Sequence, residues 1–102
     1  MDKLNIKTGV DASETSLMGY ISITHGELEK RLGEGEGSSD KTLDEWSIEG
    51  EVEGEKVIAT IYDLKNYGMD RHDITEWHIG GKDRKAVDLI RAIFVGKSIR
   101  NY

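Results

Sequence analysis

Apolar and polar positions along this chain alternate in two rhythms. Leu17–Ile23 is the first convincing strand, carrying Tyr20 and the β-branched Ile21 and Ile23. Gly19 inside that run marks a bulge or a close approach by another group. In 43–50, Trp46 and Ile48 share a face while Ser47 and Glu49 point the other way. Val57–Tyr62 is apolar on both faces, which predicts a central strand and is compatible with a homodimer. Glu51–Glu55 joins these two runs as a hairpin, with Gly54 at positive φ. In Ile74–Ile79, Trp77 and Ile79 lie on one face, Glu76 and His78 on the other.

Two helices interrupt this strand pattern. Thr24-His25-Gly26-Glu27 is a capping box that starts a helix through about Leu32, with Gly33 as its terminator. From Asp83, read as the N-cap, the residues Ala86, Val87, Leu89, Ile90, Ile93 and Phe94 recur at helical spacing, and Gly96 ends the run. Gly80-Gly81 reads as a tight turn from strand to helix. Lys97 and Arg100, just past the helix end, favour the negative end of its dipole. The order is β-α-β-β-β-α: an α+β domain with an antiparallel sheet of about four strands and two helices on one face.

The 102 residues make a single domain. Residues 1–16 are an edge strand at 3–7 or a disordered leader, and Glu34–Lys41 is a flexible loop. Glu45–Gly50 and Glu76–Gly81 both read Glu-Trp-x-Ile-x-Gly, which predicts two strands using Trp and Ile alike on either side of 57–62. With 36% hydrophobic residues the core must be compact, and Trp46 and Trp77 are its largest assets.

Charge and chemistry narrow the function less than the fold. No run approaches the about 20 apolar residues that span a bilayer, and the first residues lack a signal-peptide core, which points to the cytoplasm. The absence of cysteine excludes disulfides and thiolate metal sites. Net charge is -6, with eleven acidic against four basic side chains in 27–56 and six basic against two acidic in 82–102. That acidic middle argues against direct nucleic-acid binding and suits a partner with a basic surface. Asp70, His72 and Asp73 crowd one loop, yet adjacent loop residues rarely surround a metal alone, so no metal is assigned. No Gly-x-Ser-x-Gly elbow or other activated constellation appears, so neither catalysis nor a cofactor is expected.

One further pattern is a resemblance. Leu32-Gly33, a polar loop, Asp40-Lys41 and Glu45-Trp46 occur in order, followed by Ala59–Lys65 (Ala-Thr-Ile-Tyr-Asp-Leu-Lys), Trp77–Gly81 and a C-terminal helix. Together they resemble a group of small accessory proteins encoded by bacteriophages. The resemblance implies a protein of the bacterial cytoplasm that inhibits or modulates a host protein, a defence protein among them, by binding. Glu49, Glu51, Glu53 and Glu55 would then offer carboxylates to a basic partner. The alternative is a small anionic ligand such as a signalling nucleotide, held at the helix start by His78, Gly80, Gly81, Lys82, Arg84 and Lys85. A structural component of the phage particle is a third reading.

Overall fold

A computed structural model describes residues 6–33, 35, 45–63 and 73–102. The 34–41 loop apart from Gly35, and the 66–73 loop apart from Asp73, lie outside these residues. The strands are β1 (Lys7–Thr8), β2 (Ser16–Ser22), β3 (Glu45–Val52), β4 (Glu55–Tyr62), β5 (Glu76–Gly81) and β6 (Ser98–Asn101). The helices are α1 (His25–Leu32), between β2 and β3, and α2 (Lys85–Ile93), between β5 and β6. The α+β class is correct, but among the described residues the sheet has six strands rather than about four, in the order β1-β3-β4-β5-β2-β6, with every pairing between them antiparallel. The two extra strands are short edges. β1 is only two residues, and β6 buries little beyond Ile99.

Alternation along the strands decides which face is the core. Trp46, Ile48, Ala59, Ile61, Trp77, Ile79 and Ile21 all lie on one face and are almost fully buried. The amphipathic α2 covers that face with Ala86, Val87, Leu89 and Ile90. The two Glu-Trp-x-Ile-x-Gly segments do flank the central strand, as β3 and β5 on either side of β4. Their indoles meet edge to face with centroids 5.5 Å apart.

Those indoles also hold α1. The Trp77 Nε1–H donates to the carbonyl of Ile23, just before the helix, at 3.0 Å, and the Trp46 Nε1–H donates to that of Gly33, just after it, at 2.8 Å. The ring of His25 contacts both indoles, so α1 lies on the same face as α2. An eight-residue helix is too short to persist alone, and this two-ended clamp supplies what propensity cannot. The capping box is present: Thr24 Oγ1 accepts from the Glu27 amide at 3.2 Å, while Glu27 reaches back to the Thr24 amide. Glu27 also binds Lys97 of the turn after α2, tying the two helices together.

The glycines of β5 correct one expectation. Gly80 and Gly81 are paired strand residues, opposite Thr60 and Ala59, and the turn comes afterwards at Lys82–Arg84. A Cβ on Gly81 would overlap that of Ala86, so this glycine lets α2 sit close on the sheet. The turn of the β3–β4 hairpin has both Glu53 (φ 52°) and Gly54 (φ 81°) at positive φ, the requirement of a type I′ turn. Gly19 serves both of its expected purposes. The register slips between Leu17 and Gly19, and a Cβ there would meet the Arg100 carbonyl oxygen at 2.5 Å.

Candidate functional site

With both helices on one face, no described helix or strand covers the other. Side chains of the opposite parity line it, and the register sets five of them in a row. Glu45 stands across from Tyr62, Tyr62 from His78, His78 from Tyr20, and Tyr20 from Arg100, on β3, β4, β5, β2 and β6 respectively. His78 stacks on Tyr62 with centroids 5.3 Å apart and planes at 16°, and meets Tyr20 at 5.3 Å with a tilt of 57°. The Arg100 guanidinium lies 4.8 Å from the Tyr20 ring centroid and bonds to Glu76, while Tyr102 packs edge-on against Tyr20 from the outer side.

The floor beneath this row is shaped by Gly80. Thr60 Oγ1 occupies the space a Cβ at Gly80 would need, and Tyr62 Cε1 comes within 3.3 Å of it. Thr60 is therefore buried although it faces away from the core, while the rings of Tyr20, Tyr62 and His78 remain half-exposed. Burial, with the charge of Glu45 and then Tyr20 adding, pushes the Tyr62 phenol above its ordinary value. His78 Nδ1 is buried between the neighbouring rings and makes no hydrogen bond to a described residue.

Such a face can receive flat or cationic groups, because phenol and imidazole faces attract them. Paired, charged strands also keep most of its backbone polar groups satisfied. Among the described residues no cluster of His, Asp and Glu is arranged to hold a metal ion.

The residues anticipated from the sequence take other places. Glu49 and Glu51 project from β3 onto the open face, across from Ile58 and Lys56, and Lys7 of β1 stands on the far side of Glu49. Glu53 occupies the hairpin turn. Glu55 has the parity of Val57, towards the helices, and binds Lys85 at the start of α2. The four carboxylates are thus split between two faces.

The anion-binding set is divided as well. His78 and Gly80 belong to the open face, whereas Gly81 lies beneath Ala86. Lys85 is engaged by Glu55, which raises its pKa. Arg84 rather than Asp83 is the N-cap and makes no side-chain capping bond, but the Asp83 carboxylate accepts from the Lys85 amide at 2.9 Å. A carboxylate of the chain itself therefore sits where an incoming anion would. A shallow cleft bordered by Glu55, Lys56, Lys82, Asp83 and Lys85 carries both signs of charge, so the two anticipated sites meet at one corner and offset each other.

The aromatic row escapes a linear reading because its members come from three strands. Each does leave a signal, as a large aromatic or imidazole side chain at the polar parity of a strand: Tyr20 before Ile21, Tyr62 after Ile61, His78 between Trp77 and Ile79. Only the register brings them together. Comparisons of the chain with family models, with curated proteins and with solved structures find no match. Among the described residues, no helix is long and apolar enough to cross a membrane.

Proposed function

We propose that this domain is a non-catalytic binding protein that docks on a bacterial host protein through the open face of its sheet and modulates it. The observation that carries the reading is the Tyr62–His78–Tyr20 row on the face that no described helix covers. Aromatic side chains in a half-exposed sheet supply contact area at low entropic cost, which is how small interfaces gain affinity. Glu45 and Glu76 border the row, while Glu49 and Glu51 lie farther along β3, where Lys7 and Lys56 stand across from them. The resemblance to phage accessory proteins supports a host protein as the partner, and the acidic border supports a basic surface on it.

The test is affinity capture from bacterial lysate with the tagged full chain and with a Tyr20→Ser/Tyr62→Ser variant whose fold is verified by circular dichroism. A host protein retained by the parent chain, released at high salt and lost from the variant supports the reading. Equal capture by both proteins, or no host protein at any salt concentration, overturns it.

A further inference from the structure

The helix-bearing side of the molecule has a groove of its own, where α1 meets the end of α2. Among the described residues it is bordered by Ile23, Glu27, Lys30, Arg31, Phe94 and Lys97, and its volume is about 330 Å³. Ile23 and Phe94, only 4% and 7% exposed, form an apolar floor, and the long side chains of Lys30, Arg31 and Lys97 stand around it. Glu27 is the carboxylate on this rim, and it is bound to Lys97. Glu29, the next acid of α1, lies beside His25 with 3.6 Å between Oε1 and Nδ1. Lys30 and Arg31 are exposed in the last turn of α1, and among the described residues neither meets a carboxylate. The rim is thus cationic on a chain whose net charge is -6.

We propose that this groove docks a segment of a partner protein in which a large apolar side chain is flanked by acidic residues. The apolar side chain enters over Ile23 and Phe94, and the neighbouring carboxylates pair with Lys30 and Arg31. The open face lies on the other side of the sheet, so this second docking surface does not rest on the reading of the first. Attraction to the end of the α1 dipole favours cations at Lys30 and Arg31 but leaves both hydrated and able to pair. Shape argues for a protein segment over a small amphiphilic ligand. The groove is shallow, so a small ligand would leave much of its apolar surface in water. A protein segment covers the opening with its own surface.

The probe is a labelled peptide, Gly-Asp-Glu-Leu-Phe-Asp-Glu-Gly, titrated into the full chain and followed by fluorescence anisotropy. Exchange of its Leu-Phe pair for Ala-Ala should weaken binding about tenfold, the scale of losing a central apolar anchor. Lys30→Gln/Arg31→Gln alters two exposed positions and should weaken binding about three- to tenfold. Glu27→Gln acts in the opposite direction: glutamine still serves a capping box, Lys97 is released, and binding should tighten about two- to threefold. Tyr20→Ser/Tyr62→Ser should leave the affinity unchanged, because both rings lie on the open face. Circular dichroism verifies the fold of each variant. Absence of binding overturns the proposal, as does equal binding of the Ala-Ala peptide, indifference to the Lys30 and Arg31 exchange, or loss of binding in the tyrosine variant. Phosphatidylglycerol vesicles that bind through Lys30 and Arg31 where the peptide does not would also overturn it and make the occupant a lipid surface. None of these failures touches lysate capture that depends on Tyr20 and Tyr62.

Discussion

The imidazole of His78 lies on the phenol ring of Tyr62 with planes only 16° from parallel, on a sheet face that no described helix covers. The stack joins two strands whose other faces build the core, so the geometry of the open face is set by the packing beneath it. Burial in this stack makes the Tyr62 phenolate costly. The folded-state pKa is raised above the ordinary 10.0, so the stabilising contribution is complete below that value and lost as pH rises through the folded one. In an alkaline absorbance titration, the Tyr62 phenol should ionise later than a free tyrosine. That late component should vanish in Tyr62→Phe, and an unchanged curve would contradict the stacked, half-buried ring.

The hairpin carboxylates should divide by face. Glu49→Gln/Glu51→Gln removes charge from the open face, whereas Glu53→Gln/Glu55→Gln removes it from the turn and the helix side. Against a captured partner, the first pair should weaken binding and flatten its salt dependence more than the second. Titration calorimetry at two salt concentrations separates them, and equal effects would mean that the whole hairpin tip makes the contact.

Trp77 combines complete burial with a hydrogen bond to the Ile23 carbonyl. Trp77→Phe keeps an aromatic ring beside Trp46 but leaves that buried carbonyl without its donor, at a cost of about 1–3 kcal/mol. Trp77→Ala also opens a cavity and should cost about 3–5 kcal/mol. Urea unfolding followed by circular dichroism measures both. Loss of α1 should accompany the larger change, because the helix depends on the indole clamp.

Gly81 and Ala86 are coupled by contact. Gly81→Ala forces α2 away from the sheet and should cost about 1–3 kcal/mol. Ala86→Gly alone should cost about 1 kcal/mol through helix propensity. The double variant restores the room for a Cβ, so it should be less destabilised than the sum of the two. Strict additivity in a denaturation cycle would show that the close approach is not what selects glycine here.

Much of the fold was legible because local chemistry and tertiary packing agree. Alternation put Trp46, Ile48, Trp77 and Ile79 on the core side. The Thr24–Glu27 box marked the start of α1, and Gly54 marked the hairpin turn. β6 was not legible, since Ser98–Asn101 holds only Ile99 as an apolar residue. Its Arg100 reads equally well as a charge beyond a helix end. Gly80 and Gly81 show a different limit: a glycine that permits a turn and one that permits close packing look identical in sequence.

The candidate site was harder to read than the fold. Carboxylates clustered along the chain suggested an acidic surface, and cations near a helix start suggested an anion site. The Glu55–Lys85 pair shows that folding brings the two clusters together at one corner. The aromatic row depends on strand register, which alternation does not specify.

The most direct test of the docking face is a nuclear magnetic resonance titration of the labelled chain with its captured partner, followed through side-chain signals. Ring resonances of Tyr20, Tyr62 and His78 should shift or broaden in step with saturation, while the exposed α2 residues Asp88 and Arg91 stay unchanged. Perturbation confined to α2 or to the Glu53–Gly54 turn, with the three rings unmoved, would contradict the account.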